Sequence, residues 1–227
     1  MAAPTILFDL DGTLVDSAPD LTHALNAALA SVEAAPISLD HVRRLVGRGA
    51  RVLIARGLAA QGMNGSEDEL DVLLARFLDH YAAHIADESQ VFPGVVPALD
   101  RLRQRGCRFA VCTNKYESLS VKLLDALGLT DQFEIIAGSD SVSARKPDAR
   151  HLTETLARMG ADPANAIMVG DSVSDVDAAR NAGLPVIGVT FGYTDTPIAE
   201  LEPDIVINHF DDLEQAVEQL ISLEAAA

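Results

Sequence analysis

Thr5-Ile6-Leu7-Phe8-Asp9-Leu10-Asp11-Gly12-Thr13 is the stretch on which the reading of this chain turns. Its first four residues form a short apolar run without alternation, the pattern of a strand buried on both faces. The run stops abruptly at a charged, Gly-containing segment. Two carboxylates two positions apart, directly after such a strand, repel each other and resist desolvation unless a cation or a proton intervenes. The same residues also suit a strand that ends in a solvated turn, because Asp and Gly are common turn formers. Taken alone the pair decides nothing.

Working outward, residues 18–86 change to helical periods. Leu21, Ala24, Leu25, Ala28 and Val32 recur three and four apart and predict an amphipathic helix. Leu39, Val42 and Leu45 predict a short second helix before a Gly-broken turn at Gly47-Arg48-Gly49, and a third helix follows over residues 50–58. Ser66 with Glu69 three residues on is a capping-box pattern, and Leu70, Leu73, Leu74, Phe77 and Tyr81 form the apolar stripe behind it. No strand is predicted in this stretch. After Phe92-Pro93-Gly94 strands and helices alternate. Strands are expected at residues 109–112, 134–137, 166–169, 186–189 and 205–207, with helices at 95–105, 119–127, 149–159 and 174–182 and an amphipathic helix closing the chain. Gly128, Gly160 and Gly183 stand where helices stop. The trailing alanines are expected to fray. Strands separated by helices of this length imply parallel crossovers. The expected fold is α/β, a three-layer, parallel-sheet, Rossmann-like core (residues 1–15 and 93–227) with an inserted all-helical cap domain (residues 16–92). An insert that starts beside the charged loop lies over the carboxyl ends of the strands, where open α/β sheets bind ligands.

Three more strand ends carry residues suited to chemistry. Thr113-Asn114-Lys115 offers a hydroxyl and backbone N–H groups at a strand-to-helix turn, a natural phosphate cradle. Lys146-Pro147-Asp148 places an ammonium where it can answer phosphate charge. Gly170-Asp171-Ser172-Val173-Ser174-Asp175 puts two carboxylates, four apart, where a helix begins. Each has a structural explanation of its own: helix starts for the Thr-Asn turn, solvation for the lysine, helix capping for the acids. An acid pair, a Thr-Asn turn, a lysine and a second acid pair at successive strand ends are hard to attribute to chance.

The formal net charge of −17 argues against nucleic acid and anionic membrane surfaces, which call for clustered Lys and Arg. No apolar run approaches the length of a bilayer span, and no signal-peptide pattern opens the chain. Two cysteines, Cys107 and Cys112, make neither a disulfide framework nor a zinc ligand set, which fits a reducing, cytoplasmic setting. Cys112, in an apolar run, is expected to be a buried free thiol. No Cys or Ser has an evident His partner for nucleophilic catalysis. Of the six His, His80 and His84 share a helix face at ligand-like spacing but lack a third ligand.

With these four motifs in order, D-x-D-G-T at Asp9–Thr13, Thr113, Lys146 and G-D-x-x-x-D at Gly170–Asp175, the chain resembles the haloacid dehalogenase-like phosphatases over nearly its whole length. The resemblance implies that Asp9 attacks phosphorus in line to give an aspartyl-phosphate, and that Asp11 protonates the leaving oxygen and later activates water. It implies Mg2+ held by Asp9, the Asp11 backbone carbonyl and Asp171, with Asp175 binding directly or through water. Thr113 and the Asn114 N–H are implied to bind phosphoryl oxygens, and Lys146 to neutralise growing charge. Within the family the chain looks most similar to phosphoglycolate phosphatases, through residues 9–17, the cap segment Val46-Gly47-Arg48-Gly49-Ala50, and Thr113-Asn114-Lys115. That group's substrate carries a carboxylate beside its phosphate, which Arg48 and Arg51 are placed to meet; solvation of a helix start explains both arginines equally well. The partner so implied is a small-molecule phosphate ester, with no nucleic acid or membrane, and the protein would be a monomer or homodimer. A sugar or amino-sugar phosphate phosphatase, a phosphomutase and a non-catalytic binding protein are the alternatives on the same core. Cap closure is expected to hinge at residues 15–17 and 89–93.

Overall fold

Residues 3–224 are described by the computed structural model. In chain order its strands and α-helices are β1 (Thr5–Phe8), β2 (Val15–Asp16), α1 (Ala18–Ala30), α2 (Leu39–Arg43), α3 (Ala50–Ala59), α4 (Glu67–Ala83), β3 (Gln90–Val91), α5 (Val95–Gln104), β4 (Arg108–Cys112), α6 (Glu117–Ala126), β5 (Ile135–Ala137), α7 (Arg150–Met159), β6 (Ala166–Gly170), α8 (Val173–Ala182), β7 (Val186–Val189), β8 (Ile205–Ile207) and α9 (Leu213–Glu224). The trailing alanines lie outside the described residues.

Six strands form one sheet in the order β5-β4-β1-β6-β7-β8, and every neighbouring pair is parallel. Side chains alternate across a strand, so Ile6 and Phe8 of β1 face one layer while Leu7 faces the other. The first layer packs with Phe109, Leu99, Leu123 and Val217 of β4, α5, α6 and α9. The second packs with Ala110, Leu152, Leu156 and Val176 of β4, α7 and α8. The core is therefore the expected three-layer α/β arrangement. From β1 the chain winds outward through β4 to β5, then returns to the other side of β1 for β6. This reversal makes β1 and β6 the switch point of the sheet, where a crevice opens beyond the strand ends.

Helices α1 to α4 pack on one another above those ends. Ser66 accepts from the Glu69 backbone N–H, and the Glu69 carboxylate accepts from Ser66 N at 2.8 Å, so the capping box starts α4 as its sequence predicts. Gly160 and Gly183 close α7 and α8 in the left-handed conformation. Sequence patterning missed one feature. β2 and β3 pair antiparallel, Val15 with Val91 and Asp16 with Gln90, so the two connections to the helical insert run as one short ribbon. Two residues per strand are too few to show a period.

Asp20 fastens this junction. Its buried carboxylate accepts from Glu88 N at 3.1 Å and from Ser89 N and Oγ at 2.8 and 2.6 Å. Asp20→Ala leaves these donors without an acceptor, and we expect it to lower unfolding stability by about 1–3 kcal/mol, read from the urea midpoint.

His151 of α7 is fully buried, its Nδ1 3.0 Å from the Ala144 carbonyl oxygen and its Nε2 3.3 Å from that of Ala137. Burial, and then the Lys146 ammonium, outweigh these carbonyls and push its pKa down from 6.5 to about 4. Above pH 6.5 both folded and unfolded states are neutral at this residue. As pH falls from there to about 4 only the unfolded chain takes up the proton, so stability is lost across that window. The loss reaches up to about 3 kcal/mol. Urea unfolding of wild type and His151→Gln between pH 7 and 4 should show a shallower acid limb in the variant.

Candidate active site

The four charged strand ends meet at the switch point. Asp9 follows β1, Thr113 follows β4, and Asp171 follows β6, so the parallel register alone brings them to one edge. Neighbouring strands stand about 4.8 Å apart, and carboxylate oxygens of Asp9, Asp171 and Asp175, one from each, lie within 4.8 Å of one another. Among the described residues this is the single trio of acidic, His or Cys side chains so arranged. His80 and His84 lie with tilted rings, centroids 4.7 Å apart, and gain no third ligand among the described residues.

Each member of the trio is oriented by the chain around it. Asp9 Oδ1 accepts from Leu10 N at 2.7 Å and faces Lys146 Nζ at 2.9 Å, whereas Oδ2 makes no hydrogen bond among the described residues. Asp171 accepts from Thr13 Oγ1 at 2.8 Å and Tyr193 N at 2.6 Å. Asp175 uses one oxygen to cap α8, accepting from Ser172 N at 3.0 Å and Ser172 Oγ at 2.7 Å, and the other to meet Lys146 Nζ at 2.6 Å. Helix capping and membership of the acidic cluster, which compete as readings of the sequence, are thus one arrangement. The approach is close enough to require glycine. A Cβ on Gly12, whose φ is +87°, would stand 2.4 Å from Asp171 Oδ2, and one on Gly192 would stand 2.2 Å from Asp171 Cβ.

Of the three buried carboxylates, Asp9 and Asp175 share the Lys146 ammonium. Burial, and then Asp175, push Asp9 up to about 7, while burial with Asp175 and Asp9 raises Asp171 well above the usual carboxylate range. Burial alone would lower the Lys146 pKa, yet Asp175 and Asp9 hold the ammonium above the ordinary lysine range. The cluster carries more negative charge than Lys146 can balance, and hard oxygen donors converge there. It fits a divalent cation.

The remaining site residues surround this cluster. Thr113 and Asn114 are buried at the end of β4. Asn114 Nδ2 donates to the Gly47 carbonyl at 3.0 Å and the Lys146 carbonyl at 3.1 Å, joining the Gly47–Gly49 loop of the insert to the sheet edge. Asp11 is directed away from the trio. Its carboxylate accepts from Lys115 Nζ at 2.7 and 2.8 Å and from Ser17 Oγ at 2.5 Å. Between sheet edge and insert lies a cavity continuous with solvent, walled by Asp9, Asp11, Thr113 and Lys115 below and by Leu53, Phe77 and Tyr81 of the insert above. Of the two insert arginines, Arg51 lines this cavity but its guanidinium is engaged by Glu67 and Asp71. Arg48 is exposed and outside the cavity wall. The structure therefore brings the four core motifs together and leaves both arginines out of the cluster. Sequence reasoning overlooked Tyr193, whose backbone N–H fixes Asp171 and whose hydroxyl donates to Asp16 in the connecting ribbon. Its signal is faint, a Gly-Tyr step shortly after the apolar run of β7.

A profile of the haloacid dehalogenase-like hydrolases matches residues 6–189. A phosphoglycolate phosphatase from Agrobacterium fabrum is 50% identical over 99% of this chain and 97% of its own length. One from Mesorhizobium japonicum is 51% identical over 94% of each chain. The crystal structure of a predicted phosphoglycolate phosphatase from Haemophilus somnus superposes with a TM-score of 0.88 at 33% identity, covering 94% of this chain and 97% of that one. Among the described residues no helix is long and apolar enough to cross a membrane. With the motifs, the fold and these relatives in agreement, the chain belongs to the haloacid dehalogenase-like hydrolase family.

Proposed function

We propose that this chain hydrolyses 2-phosphoglycolate to glycolate and phosphate, with Asp9 as the nucleophile. The observation that carries the reading is Asp9 itself, buried at the sheet switch point with one oxygen anchored by Leu10 N and Lys146 and the other free of hydrogen bonds among the described residues. The names of the relatives support the choice of ester. The free oxygen attacks phosphorus, the bond from phosphorus to the glycolate oxygen breaks, and Asp11 delivers a proton to that oxygen. Water then attacks the phosphorus of the aspartyl-phosphate and gives its proton to Asp11. Phosphate leaves and the Asp9 carboxylate is restored. Thr113 Oγ1 and the Asn114 N–H bind phosphoryl oxygens, and Lys146 neutralises the charge that builds on them.

Asp9, Asp171, Asp175 and the Asp11 backbone carbonyl would hold Mg2+, which supplies the positive charge that lets a phosphate dianion approach a carboxylate. Asp175 would bind the ion directly or through water, and it also orients Lys146 and the start of α8. Residues 16–92 act as the cap and residues 1–15 and 93–227 as the catalytic core, with the β2–β3 ribbon as the hinge. The surroundings that suit this reading are the cytoplasm and a small-molecule ester as sole partner, without nucleic acid or membrane, for a monomer or homodimer.

Phosphate release from a panel of esters, with and without Mg2+, tests the reading. We expect 2-phosphoglycolate to lead the panel, turnover to need the ion, and Asp9→Asn to lose at least about 1,000-fold in kcat. A flat profile over the panel would remove the substrate assignment, and an active Asp9→Asn would remove the nucleophile.

A further inference from the structure

The cavity above Asp9 holds a hydroxyl with no structural use. Tyr81 of α4 is 1% exposed and lines the cavity, and its O–H finds no acceptor among the described residues, its polar neighbour being the Lys115 ammonium, which can only donate. Its ring stacks on Phe77 with centroids 6.0 Å apart, a contact that phenylalanine would make as well. Burying an unpaired hydroxyl is unfavourable, and such groups persist where a ligand or water completes them. Burial pushes the phenol up to about 12, so it stays a donor at neutral pH. Positive charge is beside it, with Lys115 Nζ 4.6 Å from the Tyr81 ring centroid while also holding Asp11.

The other cations near the cavity are less suitable. Arg51 is engaged by two carboxylates on the insert, and Lys146 is shared between Asp9 and Asp175. Arg145 is exposed and forms no ion pair among the described residues, but it stands beside Gly49 at the margin of the cavity.

Resting on the phosphoglycolate reading above, we infer that Tyr81 is the specificity-determining residue of the cap: its hydroxyl donates to an oxygen of the leaving group, the glycolate carboxylate, beside the Lys115 ammonium. The pairing of one donor and one cation beside Leu53, Phe77 and Leu119 suits a small anionic leaving group.

The test compares kcat and KM of wild type, Tyr81→Phe and Arg145→Ala on 2-phosphoglycolate, 2-hydroxyethyl phosphate and ethyl phosphate, alongside Tm. Tyr81→Phe should reduce the kcat/KM preference for 2-phosphoglycolate over ethyl phosphate by about tenfold or more, through KM rather than kcat. Its Tm should equal or exceed that of wild type, because an unpaired buried hydroxyl has been removed. An unchanged preference overturns the inference, as does a preference lost only in Arg145→Ala. A lowered Tm with equal losses on all three esters would mean the hydroxyl serves the fold, and overturns it too. A wild type with no preference for 2-phosphoglycolate defeats the substrate reading instead. The Tyr81 contact is then judged by the ratio of 2-hydroxyethyl to ethyl phosphate, which must fall in Tyr81→Phe for the contact to stand.

Discussion

Mutual repulsion among Asp9, Asp171 and Asp175, balanced in part by Lys146, is the constraint around which this molecule is built. Carboxylates brought this close and buried this deeply raise one another's pKa and oppose folding unless positive charge is supplied. The chain provides one ammonium, directed to Asp9 and Asp175 at once, and supports Asp171 with Thr13 and Tyr193. What is left over is an excess of negative charge at a point where a phosphate dianion must also arrive. A divalent cation answers both needs, because the electrostatics that set these carboxylates against one another favour its binding.

The fold serves this cluster directly. A parallel sheet whose order reverses at β1 delivers two strand ends side by side with a crevice above them. The insert then closes that crevice with apolar helices, and the Asn114 side chain ties its Gly47 loop to the sheet edge. Apolar walls strengthen the charge interactions beneath. The division of labour is physical: strand ends bring fixed charge, the insert brings shape and a few polar groups.

Much of this was legible in the sequence because it rests on local signals. The uninterrupted run Thr5–Phe8, the stop at Asp9, and the Gly residues ending α7 and α8 each follow from short-range chemistry, and the structure has them where the patterns place them. The convergence of Asp9, Asp171 and Asp175 follows once the strands are parallel and adjacent. The rest depends on contacts between distant parts of the chain. Nothing near Arg51 announces that Glu67 and Asp71 will engage it across a loop. Nor does the helical stripe that contains Tyr81 tell a core tyrosine from one whose hydroxyl borders a cavity, since both occupy the same apolar positions. The β2–β3 ribbon escaped notice for a further reason, being shorter than the period that would reveal it.

The central claim is that the arrangement makes Asp9 a covalent carrier of phosphate, and chemical capture tests it most directly. Wild-type protein quenched during turnover, reduced with borohydride and digested should yield a peptide with homoserine in place of Asp9, the product of reducing an acyl phosphate. Modification at any other carboxylate, or phosphoryl transfer with Asp9 unmodified, would contradict the account.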